Sequence, residues 1–182
     1  MNKSLTLITI LLFCFACKTP EARKPVSVKT GSFIDQSVER NKKLNAKEQA
    51  QFNQIMSANS SNEYLASENG FWYYYNTKTN EAIAPTPNYG DIVNYSYTLK
   101  DLKGNLIYPV DNFKNLNYTM DRQELFTGLR EGLKLMKPGE TVTFLFPSQK
   151  AYGYYGDENK IGTNIPLIAE VTVNSITKTE DN

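Results

Sequence analysis

Histidine is absent from this 182-residue chain, and cysteine occurs only at Cys14 and Cys17. Without histidine there is no Ser-His-Asp or Cys-His relay, and nearly all zinc enzymes are excluded. Both cysteines lie at the extreme N-terminus, so residues 18–182 hold no disulfide, thiolate nucleophile or cysteine metal site. An excess of one charge is lacking too, with 20 Lys+Arg against 19 Asp+Glu. A nucleic-acid binder normally carries a basic excess or stripe, so no nucleic-acid partner is expected. The longest apolar run, Leu5 to Ala16, is too short to span a bilayer. Any catalysis must use carboxylates, Lys, Tyr, Ser/Thr, or binding alone. What the chain does have is a 40% hydrophobic content, enough for a packed core, and many aromatic residues.

Residues 1–17 have the form of a secretory signal, with Lys3 as a short positive region ahead of the apolar run. The run ends at Phe15-Ala16-Cys17, followed by polar Lys18, Thr19 and Glu21. A small residue before Cys at this point resembles a bacterial lipobox. The usual Leu three positions before that Cys is here Cys14. This predicts acylation of Cys17 and a lipid anchor in the bacterial cell envelope, since two or more acyl chains hold a protein stably at a membrane. The alternative is a soluble secreted protein cleaved nearby. No acidic run follows Cys17, which points to the outer membrane, facing the periplasm.

Residues 18–63 carry eight basic and five acidic residues and two aromatics, Phe33 and Phe52. They read as a tether over 18–34, stiffened by Pro20 and Pro25, and then two short helices at about 36–43 and 46–58. Asp35 and Asn45 stand as N-caps, with Asn45 and Glu48 at capping-box spacing. Residues 64–182 hold eleven basic and fourteen acidic residues and 18 of the 22 aromatics. They read as the main domain, of α+β class.

In that domain Val93, Tyr95, Tyr97 and Leu99 alternate with Asn94, Ser96, Thr98 and Lys100, the period of a half-buried strand. Val142, Phe144 and Phe146 repeat the pattern, as do Ala169, Val171 and Val173. Phe71 to Tyr75 and Leu116 to Met120 complete about five strands. One helix is expected between them. Asp121 would cap it, with Glu124 completing a capping box, Leu125, Leu129, Leu133 and Met136 as its apolar stripe, and Lys137-Pro138-Gly139 as its end. Gly128 and Gly132 inside it each cost roughly 1 kcal/mol relative to Ala. They predict a face where something approaches the helix backbone closely.

The run "QELFTGLREGLKLMKPG" at 123–139, followed by "ETVTFLFPSQKAYG" at 140–153, resembles the signature of the FKBP-type peptidyl-prolyl isomerases. The matching pieces are Gly128-Leu129-Arg130-Glu131-Gly132, Met136-Lys137-Pro138-Gly139, and Pro147 to Gly153. Gly90-Asp91, Val93 to Thr98, Gly104, Ile165-Pro166 and Glu170-Val171 extend the resemblance over about residues 68–178. With the lipobox and the helical N-terminal segment, the chain looks most like the gliding-motility-associated isomerase lipoproteins of Bacteroidetes. The resemblance implies an FKBP-like antiparallel sheet wrapped around one short helix, isomerase activity on proline-containing protein clients, and no cofactor or metal. It also implies site residues. Tyr152 matches the tyrosine that hydrogen-bonds the substrate carbonyl, and Tyr95 the tyrosine of the pocket wall. Leu129 matches the pocket floor, Leu125 and Phe126 the apolar pair before the helix glycine, Leu116 and Tyr118 the preceding strand, and Ile165 the closing loop.

Three positions depart from the family pattern. Ile107-Tyr108 stand where the family has Phe-Asp, which removes the pocket aspartate, with Asp111 three residues on. Ala169 replaces a pocket Phe, and the loop from Gly156 to Leu167 is short after Ile165-Pro166. These departures keep a second reading open, a catalytically weak chaperone or client-binding lipoprotein that uses the same cleft. A third is a structural subunit of a motility or secretion machine. Asp157-Glu158-Asn159 opens like a calcium loop, but Ile161 and Ile168 occupy positions that need oxygen ligands.

Overall fold

In the computed structural model, residues 30–80 and 84–179 are described, with side chains from residue 33. The signal, Cys17 and most of the tether lie outside the described residues. Residues 39–179 belong to one compact unit, and residues 30–38 to another.

The period-two segments form one antiparallel sheet. Its strands are β1 (Leu65–Ala66), β2 (Trp72–Thr77), β3 (Ile92–Lys100), β4 (Leu106–Tyr108), β5 (Leu116–Thr119), β6 (Thr141–Phe146) and β7 (Leu167–Thr177). The order is β1-β2-β6-β7-β3-β4, and β5 also pairs with β3. Thus β4 and β5 share the outer side of β3, with Tyr95 opposite Leu116 and Leu99 opposite Tyr108. The five expected strands are present, and the very short β1 and β4 are added. Val93, Tyr95, Tyr97 and Leu99 are buried while their neighbours are not, as the alternation requires. Leu167, Ala169, Val171 and Val173 on β7 face the same core.

The helix on the core face, α2 (Thr127–Leu133), is half the expected length. Asp121 is not its cap. It sits at φ 58, in a left-handed turn, and the N-cap is Phe126, without a side-chain bond. Residues 121–123 turn and bend instead, and 124–126 continue without regular structure, forming a wall held to β5. Gln123 Oε1 accepts from Thr119 N at 2.9 Å, and the Tyr118 hydroxyl donates to Gln123 O at 3.2 Å. Those bonds, from residues four and five positions back, stand in place of the capping box. Leu129, Leu133 and Met136 are fully buried. A Cβ on Gly128 would lie 2.6 Å from Phe146 Cδ1 and 2.8 Å from the Lys150 carbonyl, and one on Gly132 3.0 Å from the Phe144 ring. The helix therefore lies directly on β6, the close approach that its glycines predict.

The N-terminal segment also differs from expectation. A single helix, α1 (Thr30–Ala58), replaces the two short ones. Asp35 and Asn45 are interior residues of it. No Gly or Pro occurs between Ser32 and Ala58, and one interior Asn costs only a few tenths of a kcal/mol more than a good helix former. Glu48 is taken by a long-range contact rather than a cap. It is 2% exposed, and its Oε2 accepts from Ser148 N at 2.9 Å. Phe52 is fully buried, its ring 5.3 Å from Trp72. Among the described residues no helix is long and apolar enough to cross a membrane.

Candidate active site

Four segments bring the site together. The outward course of residues 121–126 supplies Leu125 and Phe126, and the single turn Ser148–Lys150 after β6 delivers Tyr152. The Tyr152 ring lies 5.0 Å from Phe126, which meets Phe146 edge-on at 5.6 Å. Tyr152, Leu125 and Phe126, with Gln123, Glu124 and Arg130, line an open hollow of about 590 Å³. Arg130 and Lys134 on the helix side pair with Asp121, at 3.7 Å and 3.1 Å. Such half-exposed pairs add little stability, but they tie the wall to α2.

Behind the hollow, β3 places Tyr95 and Tyr97 side by side. Their rings stack at 5.7 Å and 7°, and Tyr97 stacks on Phe113 at 4.3 Å and 3°. Phe113 meets Tyr108 edge-on at 5.2 Å. The Tyr97 and Tyr152 hydroxyls hydrogen-bond each other, and either can be the donor. Burial raises the pKa of Tyr152, and the Asp157 charge raises it further. Tyr95 and Tyr97 are pushed up by burial beyond the ordinary tyrosine range. All three hydroxyls therefore keep their protons at neutral pH and act as donors rather than bases.

The other expected site residues fall in different surroundings. Tyr118 is 3% exposed, its hydroxyl engaged by Gln123 O and the Asp121 amide. Leu116 is half-buried on β5, opposite Tyr95. Leu129 is fully buried in the core and does not line the hollow. Ile107 is half-buried, and its carbonyl accepts from Lys160 Nζ at 3.4 Å. Tyr108 donates to Asp157 Oδ2 at 2.5 Å. Ile165 lines a separate cavity of about 270 Å³ beside Leu44, Lys47 and Glu48. Asp111 is exposed in the turn Val110–Asn112, and Ala169 is fully buried in β7. Tyr97, Phe113 and Asp157 belong to the site's surroundings, and the sequence does not mark them as site residues. Tyr97 had a signal, since it shares a strand face with Tyr95. Asp157 had none. Its loop resembles a calcium site only at its start, and its oxygens are taken by protein donors. No group of three potential metal ligands exists among the described residues.

The structure thus sets an antiparallel sheet over a short helix, with a hollow lined on one side by Leu125, Phe126 and Tyr152 and on the other by Gln123, Glu124 and Arg130. The family model for FKBP-type peptidyl-prolyl cis-trans isomerases matches residues 84–174, half of the chain. The chain belongs to that family. It is 32% identical over 95 residues to the probable FKBP-type peptidyl-prolyl cis-trans isomerase FkpA of Neisseria meningitidis serogroup B. The match covers 52% of this chain and 34% of the relative, about a third of that protein's length. The crystal structure of FkpA from Escherichia coli superposes with a TM-score of 0.60 at 19% identity, over 98% of this chain and 84% of that one. A peptidyl-prolyl cis-trans isomerase from Pseudomonas syringae pv. tomato gives 0.59 at 17%, over 75% and 96%. At those identities the likeness is one of fold.

Proposed function

We propose that the chain catalyses cis–trans isomerisation of Xaa-Pro bonds in envelope or secreted proteins. The observation that carries this reading is Tyr152 lining an open hollow beside the apolar pair Leu125 and Phe126. Rotation about a peptide bond must overcome roughly 18–20 kcal/mol of lost amide resonance. Water stabilises the polar planar amide, and an apolar wall withdraws that support. A hydroxyl that holds the carbonyl as the bond twists binds the transition state better than either planar form. About 4 kcal/mol of such preference gives roughly a thousandfold acceleration. No covalent step, metal or cofactor enters this scheme.

A second reading, a client-binding chaperone with weak turnover, is supported by the exposed pair Tyr154 and Tyr155, 68% and 85% accessible on the loop that follows Tyr152. The lipobox-like Phe15-Ala16-Cys17 supports a lipid-anchored protein on the periplasmic side of the outer membrane. Together with the helical N-terminal segment it supports a role beside a gliding-motility or secretion machine. The test is cis-to-trans isomerisation of an Xaa-Pro tetrapeptide by the mature chain and by Tyr152→Phe. The expected result is acceleration that drops about tenfold in the variant. A folded wild type with no acceleration would sink the enzyme reading and leave the chaperone.

A further inference from the structure

We propose that Asp157 is the positioning residue of the Tyr152 loop, acting through the buried hydroxyl of Tyr108. The proposal rests on the isomerase reading for its consequence, but not for its geometry. The loop leaves Tyr152, turns through residues 153–164 and returns to Ile165. Its base is closed by Asn164 N donating to Gly153 O at 2.8 Å. Asp157 organises the tip. Its Oδ1 accepts from the amides of Asn159 at 3.0 Å and Ile161 at 2.7 Å, and its own amide donates to Ile161 O at 3.0 Å. Gly156 is at φ +71, and a Cβ there would meet Ile161 O at 2.1 Å, so the chain can fold back on itself only with glycine at that point.

Ile161, 3% exposed in the core, and Lys160 Nζ on Ile107 O also hold the loop to the sheet. The remaining carboxylate oxygen adds the tie nearest Tyr97 and Tyr152 by accepting from Tyr108 on β4. Tyr108 is itself fixed, 7% exposed, with Phe113 against its ring and Lys160 Nζ 4.9 Å above it. Phe113 in turn stacks on Tyr97, whose hydroxyl meets Tyr152. One carboxylate thus joins the two walls of the site, and a hydrogen bond to a charged acceptor is stronger than a neutral one. The position where the sequence reads Tyr108 therefore has a carboxylate at its hydroxyl, supplied from the opposite loop. Asp157 accepts from three protein donors, so its part is to hold the loop.

Burial works to raise the pKa of Asp157, but the Tyr108 hydroxyl and the Ile161 and Asn159 amides outweigh it and hold the carboxyl below its ordinary range. The ionisable groups facing it are Tyr108 from β4, Tyr152 from the base of the loop and Lys160 from the loop itself. Removing the Tyr108 donor should raise the pH at which Asp157 takes up a proton and the tip of the loop loosens.

The test compares the mature chain with Tyr108→Phe, Asp157→Asn and the double variant. Each single variant is expected to lose roughly tenfold in kcat/KM on an Xaa-Pro tetrapeptide, mainly in kcat, with the double variant no worse than the poorer single one. The acid limb of the Tyr108→Phe pH profile should move to higher pH, which loss of packing alone would not produce. Thermal unfolding checks that each variant is folded. Amide exchange at Ile161 reads the clamp without any assay of activity and should speed up several-fold in both single variants. If the wild type is inactive, the isomerase reading fails while the exchange result still decides the clamp. Wild-type kcat/KM, pH profile and Ile161 exchange in a folded Tyr108→Phe would overturn the proposal.

Discussion

Two aromatic clusters share the core, and they differ in what they do with their polar tips. Over β2, β6 and α2, Phe71, Phe144 and Phe146 pack with rings 5.2–5.7 Å apart and are essentially inaccessible. The tyrosines beside them, Tyr73 and Tyr75, are half-buried. Over β3 and the Tyr152 loop the same ring-on-ring packing is built with hydroxyls inside it. Tyr95, Tyr97 and Tyr108 are 3%, 4% and 7% exposed. A buried hydroxyl costs stability unless it is bonded, and phenylalanine would fill the same volume. The first cluster follows that economy and the second does not. The second is also the cluster that meets the hollow, and its hydroxyls are bonded to other site groups, Tyr97 to Tyr152 and Tyr108 to Asp157. The contrast separates packing from orientation within one core.

The largest effect should come from striking the packing cluster. Gly128→Ala forces a methyl group against Phe146 and the Lys150 carbonyl. Overpacking of this kind costs about 1–3 kcal/mol, partly offset by better helix propensity. The expected net loss is about 2 kcal/mol in chemical denaturation. Because Lys150 lies two residues before Tyr152, isomerisation should fall as well. A fully stable Gly128→Ala would show that α2 can lift from β6 without cost.

Tyr97→Phe attacks the second cluster while keeping its packing. The rings of Tyr95 and Phe113 still hold the side chain, so stability should change by about 1 kcal/mol or less. Tyr152 loses its hydrogen-bond partner on β3. Turnover of a tetrapeptide should fall about fivefold, equivalent to roughly 1 kcal/mol of transition-state binding. Equal losses in activity and stability would erase the distinction between the two clusters.

Much of this was legible in the sequence. The alternation around Tyr95, Phe144 and Val171 reveals the strands because each has one face on the core and one outside. The cost of Gly128 and Gly132 reveals the close approach of α2 to β6. What the sequence hides is the outcome of competing interactions. Asp121 and Glu124 have the spacing of a capping box, but Gln123 bonds back to Tyr118 and Thr119, and the helix begins only at Thr127. Asn45 has the look of a cap, yet the helix runs through it because nothing nearby breaks it. At the site, Ile107-Tyr108 reads as the loss of a carboxylate. Asp157, 49 residues further on, meets the Tyr108 hydroxyl. No local pattern could announce that pairing.

The smallest effect, per residue, is in alkali, and it concerns the second cluster most. Burial holds the pKa of Tyr95 and Tyr97 above the usual tyrosine range in the folded state. Their pKa returns to about 10 in the unfolded chain. Between those values the folded state binds more protons than the unfolded one, so stability falls as pH rises. It is complete below pH 10 and is lost progressively above it. At pH 10.5 the loss is roughly 0.8 kcal/mol for each such tyrosine. Tyr75, raised to about 12 by burial and the charge of Glu140, adds a smaller share because it is only half-buried. Denaturation monitored at pH 8 and 10.5 should therefore show a smaller difference in Tyr97→Phe than in the wild type, while Gly128→Ala, which removes no hydroxyl, should keep the wild-type difference. An unchanged difference in Tyr97→Phe would mean that its hydroxyl reaches water, and that the second cluster is less closed than its burial indicates.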